Sequence, residues 1–156
     1  MGRKLKIIAA LAIAILAGMQ FVRPDRTNPP SDPNLAITAQ MELPAGVRTI
    51  IERSCFDCHS NQTHWPWYSE VAPVSWFVAD DVHEGREHLN FSEWGTYTQK
   101  RQIAKLEMIA SEVDKGDMPM ERYVWLHQKA ALTGPDRDLL TGWAGDLSDS
   151  LAGRVQ

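Results

Sequence analysis

Cys55-Phe56-Asp57-Cys58-His59 holds the only two cysteines of the chain, and its reading decides how the rest is interpreted. Two thiols at C-x-x-C spacing lie on one helical turn, where each can form a thioether to one vinyl group of a porphyrin. The histidine that follows is then held beneath the ring as an axial iron ligand. The expectation is one covalent haem c, with Cys55 and Cys58 as thioether donors and His59 as the proximal ligand. The same five residues admit other readings. A redox dithiol needs only the two thiols. A zinc site needs further Cys or His at ligand spacing, and no second C-x-x-C exists. A structural disulfide across two intervening residues constrains the unfolded chain very little.

About 60 residues downstream, Gly116-Asp117-Met118-Pro119-Met120 offers a soft thioether on a stiff loop. Met118 is the candidate for the opposite face of the iron, with Met120 the neighbouring choice. His127 is the rival, which would give a bis-histidine centre of lower potential. His64 reads as a surface histidine of a polar loop. Arg86 is a candidate partner for a haem propionate, with a surface salt bridge as the plainer reading.

The 156 residues suit one domain with a real core. Residues 1–22 begin with Arg3, Lys4 and Lys6 and continue as the apolar run Ile7 to Val22, the pattern of an export signal. The run lacks a clean small-residue cleavage site and is read as an uncleaved N-terminal membrane-anchor helix, with a removed signal as the alternative. It is short for a full span of about 20 residues. The rest of the chain lies outside the cytoplasm on this reading, in a bacterial cell envelope, periplasmic and tethered to the inner membrane. It carries 13 basic against 20 acidic residues. That balance argues against nucleic acid and for a redox partner with a basic docking patch.

Residues 23–43, with four prolines, read as a spacer that holds the domain off the bilayer. The domain is expected over 44–147, all-α, with a flexible tail over 148–156. Pro44 opens a helix carrying Val47, Ile50 and Ile51 into the cysteine motif. Ser60–Glu70 reads as an aromatic-rich loop. Pro73 opens a second helix with Val74, Phe77, Val78 and Val82 on its buried side. Asn90 or Ser92 can cap the next turn, where Trp94 packs. Residues 98–115 carry Ile103, Leu106, Ile109, Ala110 and Val113 on one face, and Gly116 ends the helix. Thr133 and Asp136 form a capping box for the last helix, whose stripe is Leu139, Leu140, Trp143 and Leu147.

Cys55-Phe56-Asp57-Cys58-His59-Ser60-Asn61, Pro66-Trp67-Tyr68, Ala72-Pro73-Val74-Ser75-Trp76, Gly85-Arg86, Asn90-Phe91-Ser92-Glu93-Trp94, and Met118-Pro119 with Tyr123, His127 and Trp143 occur together. On these residues the chain resembles the small haem-binding domain family, cytochrome c-like exported bacterial proteins, over about Pro44 to Leu147. The resemblance implies a small cytochrome c-like helical domain around one covalent haem, tethered by Cys55 and Cys58, with His59 proximal and Met118 distal. The expected function is a membrane-tethered monohaem cytochrome carrying single electrons, a carrier rather than an enzyme. A haem-based sensor whose Met118 loop detaches to admit a gas molecule stands second, a peroxidase-like enzyme third and a thiol oxidoreductase fourth.

Overall fold

Caps and apolar spacing turn most of this chain into helix. The computed structural model describes residues 2–154, and among them there are eight α-helices, short 3-10 turns and no strand. The α-helices are α1 Arg3–Met19, α2 Ile37–Gln40, α3 Ala45–Ser54, α4 Phe56–His59, α5 Val74–His88, α6 Gln99–Lys115, α7 Glu121–Leu126 and α8 Gly134–Gly153.

The core is built on α6 and α8. Thr98 caps the start of α6, and Gly116 ends it at φ 81°, a left-handed conformation that glycine adopts without a Cβ penalty. Gln99 donates to the Leu151 carbonyl and Arg137 to the Val113 carbonyl, so the two helices run antiparallel. Leu106, Ile109 and Val113 of α6 meet Leu140, Ala144 and Leu151 of α8, with Val47, Ile50 and Ile51 of α3 in the same cluster. Trp94 and Phe91, the two largest fully buried side chains, close it from the 3-10 turn Phe91–Thr96.

Both halves of the Thr133/Asp136 capping box are formed, and Arg53 of α3 donates to the Asp136 carboxylate at 2.7 Å. Hydrogen bonds from Thr133 hold the Asp136 carboxyl below the usual carboxylate range, with Arg53 adding to the effect. Thr133→Ala is expected to cost about 1 kcal/mol in urea unfolding. A depressed carboxyl contributes above its unfolded pKa and loses that contribution as pH falls through its folded one. The stability gap between Asp136→Ala and the parent therefore narrows in acid.

Three segments differ from the sequence reading. Residues 23–43 are not a free spacer: Ile37 and Leu43 are core residues, and Asn28 donates to the Thr63 carbonyl. The stretch expected as a flexible tail is the last part of α8 up to Gly153, with Leu151 in the core, and residues 155–156 lie outside the described residues. On α5 the buried side is Ser75, Val82 and Gly85, while Val74 and Phe77 face out. Gly85 faces inward because α5 approaches α4 closely there.

The N-terminal run is helical over Arg3–Met19 with none of its residues buried. Among the described residues, however, no helix is long and apolar enough to cross a membrane, so a spanning anchor is not what α1 forms by itself.

Candidate haem site

The C-x-x-C-H run bends the chain out of α3. Cys55 is the end cap of α3 and also precedes α4, a single turn whose Cys58 and His59 amides bond back to the Cys55 carbonyl. Both thiols and His59 thereby line a cavity of about 430 Å³. Its other walls are Ile51, Leu89, Phe91, Ile109, Val113, Leu132 and Leu140, with Met118, Pro119 and Met120 contributed by the loop after α6.

His59 is fixed by its backbone partners. Its Nδ1 lies 2.8 Å from the Gly85 carbonyl oxygen and 3.1 Å from that of Leu89, at the end of α5. Carbonyls only accept, so Nδ1 carries the proton and donates, which leaves the Nε2 lone pair for a metal. Burial lowers the pKa of the ring and outweighs those two bonds, so the imidazole is neutral at neutral pH. Its edge stands against Phe91 with ring centroids 6.4 Å apart.

Gly85 makes this possible. A Cβ there would lie 2.7 Å from the Cys58 carbonyl oxygen, so only glycine lets α5 reach α4. Both cysteines are free thiols, and burial, the first cause for each, pushes them up to about 12. Cys58 is also raised by the carboxylates of Asp81 and Asp57. The pair is protonated at neutral pH, unlike a redox dithiol, whose reactivity depends on a depressed thiol pKa.

The motif is braced on two further sides. Tyr123 of α7 donates to Asp57 at 2.9 Å, and burial together with that carboxylate keeps the phenol protonated. Arg86 donates to the Ser60 carbonyl, the Thr63 hydroxyl, the Thr27 carbonyl and the Asn28 side chain. It is therefore a clamp between the motif and residues 27–28, and not a residue of the cavity wall.

The structure brings Cys55, Cys58, His59, Met118 and Met120 to one cavity. His127 is not in its wall. Its ring stacks on Tyr123 at 4.2 Å and its Nε2 lies 3.2 Å from the Tyr68 hydroxyl. His64 is exposed beside Asp57. Sequence reasoning missed Met108, His88 and the acidic residues Asp81, Glu84 and Glu112, which also line the cavity. Met108 and Glu112 are four apart on α6, and that spacing was the available signal.

The residues fit a haem by their chemistry. The walls are largely apolar, a neutral imidazole has its free nitrogen available, two thiols line the same cavity, and two methionines line it from the other loop. The Ser54 hydroxyl, buried in the same wall, has no hydrogen-bond partner among the described residues. A helical fold around this donor set defines a haem-binding protein. The chain belongs to the haem-binding domain family, whose model matches residues 14–146 and so includes the end of α1 and the whole of residues 23–43. No curated protein and no solved structure shows significant similarity to the chain.

Proposed function

We propose that this domain holds one haem c covalently through Cys55 and Cys58, with His59 and Met118 as axial ligands, and carries single electrons in the bacterial cell envelope. The observation that carries the reading is His59, presented as a neutral ligand by Gly85 and Leu89 in the same apolar cavity as both thiols. Cys55 and Cys58 would hold the haem by thioethers, each thiol S–H adding across a vinyl C=C with no oxidant needed. When bound, the haem supplies a one-electron couple, and a methionine ligand raises its potential.

The chain's own residues do the rest. Gly85 and Leu89 keep the proton on Nδ1, and Phe91 and Leu140 give the cavity an apolar wall. The turn at Gly116, closed by amides of Asp117 and Met118 on the Glu112 carbonyl, supports a ligand role for Met118 by keeping that residue in the cavity wall. With His59 and Met118 both holding the iron, no position would remain for a substrate, which favours a carrier over an enzyme. The acidic balance of the chain supports a partner with a basic docking patch. The apolar α1, with its basic start, supports export and seating in the inner membrane.

Haem staining of a denaturing gel, after expression of the full chain in a host with c-type maturation, tests the attachment. The parent is expected to stain and Cys55→Ala/Cys58→Ala to lose the stain; an unstained parent sinks the reading. For the second ligand, Met118→Ala is expected to lose the low-spin spectrum of the oxidised protein, while Met120→Ala and His127→Ala keep it. A low-spin spectrum unchanged in Met118→Ala would remove that residue from the ligand set. Rapid carbon monoxide binding by the reduced parent would favour the sensor.

A further inference from the structure

The outward face of α5 continues across two other elements. Phe77 is 65 % exposed, Trp67 79 %, Trp125 71 % and Leu126 62 %, although all four are large and apolar. They belong to elements that touch one another. The 3-10 turn Trp67–Glu70 packs on α5, and the Tyr68–His127 contact brings the end of α7 onto that turn. Arg122 of α7 pairs with Asp81 of α5, so Phe77 and Trp125 each stand about one turn from the same ion pair.

The apolar helix α1 is fastened beside this face. The Gln20 amide donates to the Ala72 carbonyl and accepts from the Ala72 N–H, both at 3.0 Å. The Trp76 indole donates to the Val22 carbonyl at 2.8 Å. The end of α1 is thus stapled to the segment that joins Trp67 to α5. At 17 residues, α1 is about 26 Å long, short of a hydrocarbon layer of about 30 Å, so seated in lipid without crossing it α1 keeps its Gln20 end at the headgroups. Whatever is stapled there is drawn down to the headgroups, where tryptophan is favoured.

Resting on the reading of α1 as a lipid-seated segment, we propose that Trp67, Phe77, Trp125 and Leu126 form a face that lies on the phospholipid headgroup layer. The haem-binding domain is then held against the bilayer rather than away from it. The Asp81 edge of the cavity, between α5 and α7, is the edge nearest the lipid.

The test uses the haem-loaded full chain in nanodiscs of phosphatidylcholine and phosphatidylglycerol, with a fraction of the phosphatidylcholine carrying a diazirine on its headgroup. After illumination, cross-linked peptides are mapped by mass spectrometry. Labels are expected at the ends of α1, in residues 66–77 and in 121–127, and not on the exposed face of α8. Phe77→Asp/Trp125→Asp is expected to lose the label in both domain segments while α1 keeps it. Labels confined to α1 overturn the proposal and leave the face open to a protein partner. An unlabelled α1 overturns the lipid-seated reading and the proposal with it.

Discussion

Gly85→Ala is expected to destabilise the protein by about 3 kcal/mol, because the new methyl meets backbone and not a yielding side chain. The Cβ would sit 2.7 Å from the Cys58 carbonyl oxygen and 3.1 Å from its carbon. Relief requires α5 to move off α4, and the Gly85 carbonyl that receives His59 Nδ1 moves with it. The same substitution therefore acts on the iron site. A lower urea midpoint is expected together with a partly high-spin oxidised spectrum, since His59 loses the partner that fixes its ring. A variant as stable as the parent, with its spectrum, would show that α5 and α4 do not need this contact.

Asn90→Ala should cost a similar amount for a different reason. Asn90 is buried, donates to the Asn61 side-chain oxygen at 2.8 Å and accepts the Ser92 amide at 3.0 Å. Ser92 in turn accepts the Asn61 amide at 3.0 Å. Alanine removes one residue from a closed ring and leaves a buried amide and a buried carbonyl without partners, each costing about 1–3 kcal/mol. Urea unfolding is expected to show a loss of about 3 kcal/mol. Asn61 is two residues from His59, so the parent and variant should also differ in the sharpness of the haem bands. A loss no larger than that of an ordinary surface substitution would mean that water replaces Asn90.

Features that declare themselves within a few residues were legible in the sequence. The C-x-x-C-H turn, the Thr133/Asp136 box, the Gly116 stop and the α6 stripe all depend on local spacing, and the structure has each of them. The Met118 loop was legible as a candidate for the same reason, and it reaches the cavity with the cysteines. The orientation of α5 was not legible. Its apolar residues suggested a buried side, but the constraint that decided it was the Gly85 contact with Cys58, which links residues 27 apart. Residues 23–43 misled because proline density signals an extended chain and carries no information on what its carbonyls will accept. Arg86, taken for a propionate partner or a surface ion pair, finds two of its acceptors there.

Those acceptors fix where the chain can be cut. A soluble fragment beginning at Pro44, the first residue of the expected domain, would lack Ile37 and Leu43 from the core and the Thr27 and Asn28 partners of Arg86. Arg86 would keep only the Ser60 and Thr63 bonds, and the chain on both sides of the cysteines would loosen. A fragment beginning at Arg23 retains all of these contacts and omits the helix, its Gln20 staple and the Val22 carbonyl that accepts the Trp76 indole. The shortest protein that still presents His59 to a haem is therefore about twenty residues longer at its start than its helices alone suggest.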